Sequence, residues 1–150
     1  MGFELRARWG GQPVWARWVR AVYVIGFLEG SCVHALDLAG RGIHAYASFP
    51  QVPLQAFFVG LAVLDPLVAV LVGVMRREGV WLAGAVMVVD VCANWWGNRH
   101  WLHDDPARLL RLLPITLFSL FVVAFLLPLH RAATGAAGQA GQPQATLPYA

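Results

Sequence analysis

Ionisable side chains inside long apolar runs are the chemically informative residues of this chain. Glu29, His34, Asp37, Asp65 and Asp90 each interrupt a stretch otherwise made of Val, Leu, Ile, Phe and Ala. In a lipid-spanning helix each such group costs roughly 2.5–3.5 kcal/mol on insertion scales, so it requires a bundle interior, a partner or a water-filled cavity. At about 1.5 Å of rise per residue from the ends that carry most arginines, Glu29 lies roughly 12 Å deep, and Asp65 and Asp90 each roughly 15 Å. Three carboxyl groups from three helices are thereby expected in one layer. Mutual repulsion and desolvation would keep at least one of them a neutral acid, able to donate or relay a proton. The bland alternative is polar glue, with protonated carboxyls hydrogen-bonded between helices.

A second layer is expected nearer the opposite side, with His34, Asn94 and Asp37 at roughly 20, 21 and 24 Å. Asp90 and Asn94 are spaced i, i+4 and share a helix face. Arg111 enters the last apolar run near the depth of Asp37, which suggests a structural Asp37–Arg111 ion pair. At about 100° per residue, Asp37 lies about 80° and His34 about 140° around the helix from Glu29. The expected arrangement is therefore split, with an acidic site of Glu29, Asp65 and Asp90 at mid-depth and the Asp37–Arg111 clamp above it. His34 and Asn94 would line a ligand site there, with Trp95 and Trp96 at its mouth.

The elements that must position these groups follow from composition. Of 150 residues, 59% are hydrophobic and 13% charged, against roughly 45–50% and 25% in soluble domains. Apolar runs predict an all-α, integral membrane four-helix bundle with spans at about 21–38, 52–75, 80–96 and 109–129. The first 20 residues mix Arg6, Arg8, Arg17 and Arg20 with Trp9, Trp15 and Trp18, which suits an interfacial segment. Residues 132–150 are rich in Ala, Gly, Gln and Pro without periodicity and read as a disordered tail. No cleavable signal peptide is evident, because Glu29 interrupts the first apolar run.

Eleven arginines, with no lysine, face eight acids. With the N-terminus inside, seven arginines fall on the cytoplasmic side and four outside, which favours an N-in, C-in, multi-pass protein, as in a bacterial inner membrane. The scatter of basic residues gives no nucleic-acid footprint. Cys32 and Cys92 both fall in predicted spans and read as small apolar fillers. Asp65-Pro66 removes a backbone hydrogen bond at mid-helix and should bend the second span. His100-x-x-His103 with Asp104 and Asp105 has ligand types suited to a divalent metal, but lacks a further convergent ligand, so no metal is expected. With a lone histidine deep in a span, no haem or other cofactor is expected either.

The segments Gly26-Phe27-Leu28-Glu29, Val63-Leu64-Asp65-Pro66-Leu67 and Asp90-Val91-Cys92-Ala93-Asn94-Trp95-Trp96 resemble small four-helix membrane proteins of GC-rich bacteria. More distantly, the layout over residues 20–130 is similar to the EXPERA domain, the four-helix membrane fold of the emopamil-binding sterol isomerase and the sigma-2 receptor. The order of the isomerase's catalytic His, Glu and Asn-Trp is not reproduced here. The resemblance implies a lipid-facing, acid-lined cavity for a sterol- or isoprenoid-like molecule, and no catalytic assignment. The functional expectation is a pocket for an apolar small molecule, with proton transfer by Glu29, Asp65 or Asp90. A proton-coupled transporter acting as a homo-oligomer, and a non-catalytic assembly partner, are the alternatives.

Overall fold

A computed structural model describes residues 12–140. Four long helices carry the chain: α1 (Val14–Arg41), α2 (Val52–Gly73), α3 (Arg77–Gly97) and α5 (Leu113–Ala140). One turn of helix, α4 (Trp101–Asp104), and a 3₁₀ segment (Pro106–Leu112) lie between α3 and α5. Around the bundle α1 packs on α2, α2 on α3, α3 on α5, and α5 returns to α1. All four long helices are long and apolar enough to cross a membrane.

The distribution of polarity is the reverse of a water-soluble bundle. Ile25, Leu36, Val63, Val70, Leu117 and Leu120 stand exposed on the outside, whereas Arg20, Asp65, Asp90 and Ser119 are buried among the helices. A continuous apolar exterior of this kind is a liability in water and a match to lipid. Cys32 and Cys92 are free thiols on this exterior.

Three boundaries differ from the sequence expectation by four residues or more. Helix α1 starts at Val14, not near residue 21, because Pro13 supplies a fixed φ of −59° at its N-cap and Trp15 and Trp18 project outward, so nothing in the segment opposes helix. Arg20, expected at the interface, is buried and donates a 3.1 Å hydrogen bond to the carbonyl of Val72 near the C-terminal end of α2, where a cation complements the helix dipole. Residues 1–11 lie outside the described residues. At the other end α5 does not stop near Leu129 but continues to Ala140, through the segment expected to be disordered; alanine is the strongest helix former. The last ten residues of that expected tail lie outside the described residues. Finally, Pro106 and the Arg108–Asp105 ion pair at 3.1 Å hold residues 106–112 in 3₁₀ geometry, so α5 begins at Leu113 instead of about 109. Helix α2 runs on through Pro66.

Close approach and polar ties fix the bundle. At the α2–α3 turn the Cβ of any residue other than glycine at position 79 would stand 2.8 Å from the backbone of Leu71 and Val72, so Gly79 sets the tight start of α3. The turn itself places Met75 at φ 64°, while Arg76 N–H bonds the Leu71 carbonyl and Met75 N–H that of Val72, the paired bonds of a Schellman cap. Tyr23 on α1 donates to the carbonyl of Val122 on α5, and Ser119 on α5 donates to that of Met87 on α3.

Candidate functional site

One half of the bundle is filled and the other is hollow. Towards the α2–α3 turn, Ala16, Val19, Tyr23, Val68, Val72, Val80, Ala83, Val122 and Leu129 are buried and packed together. Towards the α1–α2 connection lies a cavity of about 440 Å³, lined from α1 by Gly26, Phe27, Glu29, Gly30, Val33 and His34, from α2 by Phe58 and Asp65, and from α3 by Met87, Asp90 and Asn94. Arg111 and Leu112 at the end of the 3₁₀ segment and Pro114, Ile115 and Phe118 at the start of α5 close it. Tyr46 and Phe49 of the α1–α2 connection form its end wall. Glu29, Val33, Arg111 and Pro114 are exposed, which marks the side between α1 and α5 as the open one.

The structure brings Asp65, Asp90, His34 and Asn94 to this one cavity. Asp65 and Asp90 retain only 6% and 7% of their surface. Asp90 accepts a 2.9 Å hydrogen bond from the Asn94 side-chain amide, on the helix face that their i, i+4 spacing makes common to both. Asp65 can approach α1 because position 30 is glycine: a Cβ there would sit 2.7 Å from Asp65 Oδ2. Gly26, one turn earlier, gives the ring of Phe118 the same close access, a small-residue spacing common at membrane helix interfaces. Glu29 reaches the cavity only at its exposed rim, so the acids comprise a buried pair and a peripheral third.

Two expectations are corrected. Asp37 is not clamped by Arg111; its Oδ1 accepts from Arg41 at 2.9 Å and its Oδ2 from the Tyr46 hydroxyl at 3.3 Å. Arg41 lies one turn away on the same helix, so the pair needs no tertiary closure, and Arg111 is left at the cavity mouth. Trp95 and Trp96 do not line this cavity. With Asp90 and Asn94 turned inward, the next two residues on α3 rotate out of the seam: Trp95 donates to Thr116 Oγ1 at 3.0 Å, and the Trp96 ring lies 4.5 Å beneath the Arg99 guanidinium.

Three residues that the sequence reading passed over shape the site. Gly30 gives room to Asp65, and the Gly26–Gly30 spacing was its available signal. Phe58 stacks between Phe49, with centroids 5.0 Å apart, and His34, at 6.4 Å. Tyr46, almost buried in the connection, lies 2.6 Å from His34 Nδ1. Outside the helices, burial and the nearby Asp37 carboxylate push the Tyr46 phenol up to about 12. No local spacing marks Tyr46, because its partner His34 is reached by a chain reversal.

A second hollow of about 640 Å³ adjoins at the same end, lined by Ser48, Phe49, Gln51, Asn98, Arg99, His100 and His103 among others. Phe49 contributes to both walls. Among the described residues no three His, Cys, Asp or Glu side chains converge as metal ligands, and Asp105 is engaged by Arg108.

No protein-family model matches the chain, and no match was found among curated proteins or solved structures.

Proposed function

We propose that this chain is a multi-pass membrane protein, oriented with both termini inside, whose cavity takes up an apolar small molecule from the bilayer and presents carboxyl groups to it. The observation that carries the reading is the shared cavity: Asp65 and Asp90, from different helices, face a single hollow whose remaining walls are largely aromatic and aliphatic. Its volume falls within the roughly 300–1,000 Å³ of small-molecule pockets. A ligand would pass between α1 and α5, and the packed half towards the α2–α3 turn closes the far end, which favours a binding pocket over a path through the bundle.

In such a pocket two carboxyl groups can act as general acid and general base, one giving a proton to an unsaturated carbon while the other removes one. Asp90 already accepts a hydrogen bond from the Asn94 amide, and accepting a proton is the role of a base, which fits Asp90 as the base and Asp65 as the acid. Glu29 and Arg111 at the rim would hold the polar end of an amphipathic molecule. The sterol- or isoprenoid-like class rests on the sequence resemblance alone.

Mass spectrometry of a lipid extract from the purified protein tests the reading. An apolar compound should co-purify with the wild type and be lost from Ile115→Trp, which fills the cavity. No co-purifying compound in either wild type or Asp65→Asn would overturn it.

A further inference from the structure

Four side chains run in sequence from the cavity to the end of the bundle. Asp65 Oδ2 lies 3.9 Å from His34 Nε2, His34 Nδ1 lies 2.6 Å from the Tyr46 oxygen, and the Tyr46 hydroxyl donates to Asp37 Oδ2 at 3.3 Å. The far end is the exposed one: the Asp65 and His34 side chains retain 8% and 15% of their surface and Tyr46 is buried at 9%, whereas Asp37 retains 29% and its partner Arg41 68%.

The direction of these bonds fixes the protons. Because the Tyr46 hydroxyl spends its hydrogen on Asp37, its oxygen is an acceptor towards the imidazole, so His34 carries its hydrogen on Nδ1. In the neutral ring Nε2 is then a bare acceptor aimed at Asp65, where a protonated carboxyl is the complementary donor. The 3.9 Å gap borders the cavity, and one water molecule or a small side-chain rotation closes it.

We propose that His34, Tyr46 and Asp37 form a proton path connecting Asp65 with the aqueous end of the bundle at the α1–α2 connection. In one passage the Asp65 O–H bond breaks as an N–H bond forms at His34 Nε2. The Nδ1–H bond breaks as its proton joins the Tyr46 oxygen, and the former Tyr46 hydroxyl proton passes to Asp37 Oδ2 and then to solvent. The reverse sequence recharges Asp65. A single passage leaves the imidazole in its other tautomer, and simple reversal restores the first while returning to Asp65 its own proton. When the returning proton has made the ring an imidazolium, rotation of that ring exchanges its two N–H groups between Tyr46 and Asp65 and so delivers a solvent hydrogen to the carboxyl. Arg41 occupies Asp37 Oδ1 and leaves Oδ2 for the path. The other charged groups facing it are Glu29 on α1, Asp90 with Asn94 on α3, and Arg111 before α5. The path deepens the pocket reading, for which it would resupply the acid, but its existence does not require a ligand.

Hydrogen–deuterium exchange of the Asp65 carboxyl, followed by infrared spectroscopy of the full chain in lipid nanodiscs, tests the path, with Asp65→Asn identifying the band. Tyr46→Phe keeps the ring and removes the hydroxyl; Asp37→Asn keeps the shape and removes the terminal base. Each should slow exchange by about tenfold or more, while thermal stability stays near that of Trp95→Phe, which should exchange like the wild type. A purely structural role for Tyr46 would lower stability without slowing exchange in Asp37→Asn. Unchanged exchange in both variants would show that water reaches Asp65 directly through the α1–α5 opening and would overturn the path. So would the lack of a protonated Asp65 band at every pH at which the protein remains folded. An empty lipid extract, by contrast, would remove the pocket reading and leave this exchange result standing.

Discussion

Replacing Gly30 by alanine should be costly for a reason specific to the site. The added Cβ would stand 2.7 Å from Asp65 Oδ2, about 0.6 Å inside an ordinary C···O contact of about 3.3 Å. Either the carboxyl group withdraws or α1 and α2 separate, and overpacking of this degree costs about 1–3 kcal/mol. The gain in helix propensity from glycine to alanine offsets about 1 kcal/mol, so the net change should be a destabilisation of about 0–2 kcal/mol. Gly60, in the interior of α2, is the matched control: nothing lies within 4 Å of its Cβ position, and Gly60→Ala should be stabilising by about 0.5–1 kcal/mol. Reversible unfolding in detergent or nanodiscs, followed by circular dichroism, measures both. The decisive arm is the cycle with Asp65→Ala. Truncating the carboxyl removes the obstruction, so the two changes should couple favourably by about 1–3 kcal/mol. If Gly30→Ala stabilises the protein as Gly60→Ala does, or shows no coupling to Asp65→Ala, the carboxyl does not lie against α1 and the site geometry is wrong.

Other outcomes follow from the connections. Met75 occupies the left-handed region at φ 64°, which costs a residue with a Cβ about 1–2 kcal/mol; glycine removes that strain at some entropic expense, so Met75→Gly should raise stability by up to about 1 kcal/mol in the same unfolding assay. The Tyr46 phenol should titrate near about 12, above the usual value of about 10, as read by phenolate absorbance of the wild type minus Tyr46→Phe. The unfolded phenol ionises first, so the stability contributed by Tyr46 is complete below about pH 10 and should fall as pH rises towards the folded value.

The parts of this arrangement that were readable in the sequence are those where a residue contradicts its surroundings. Asp65 and Asp90 stand in apolar helices, and burial between helices resolves that conflict; the i, i+4 spacing also put Asp90 and Asn94 on one face, where the structure adds a hydrogen bond between them. The four long apolar helices were readable for the same reason, since composition and run length set them directly. What escaped depended on chain reversal or on competition. Tyr46 lies in a connection whose fold is set by packing onto Phe58, at 5.4 Å between centroids, and no periodicity encodes that. Asp37 had two arginines within plausible reach, and the local one prevailed because an adjacent helical turn requires no loop closure. Glu29 shares a layer with the buried acids in depth but not in rotation, so rise per residue alone overstated its burial. The extension of α5 beyond Leu129 was hidden by glycines and a glutamine among the alanines, a mixture that gives no amphipathic signal although its alanines favour helix.

The central claim is that a membrane-accessible cavity lies between the helices with Asp65 and Asp90 on its wall. Photolabelling with an alkyl diazirine dissolved in the bilayer, mapped by peptide mass spectrometry, tests it most directly, because the reagent samples apolar space and reacts with carboxyl groups. In the wild type, Asp65 and Asp90 should be labelled despite their burial, together with rim residue Glu29, and Ile115→Trp should suppress labelling of the two aspartates while leaving outward-facing Val63 and Leu117 unaffected. Label confined to outward-facing residues such as Val63 and Leu117, with Asp65 and Asp90 unmodified in the wild type, would contradict the account.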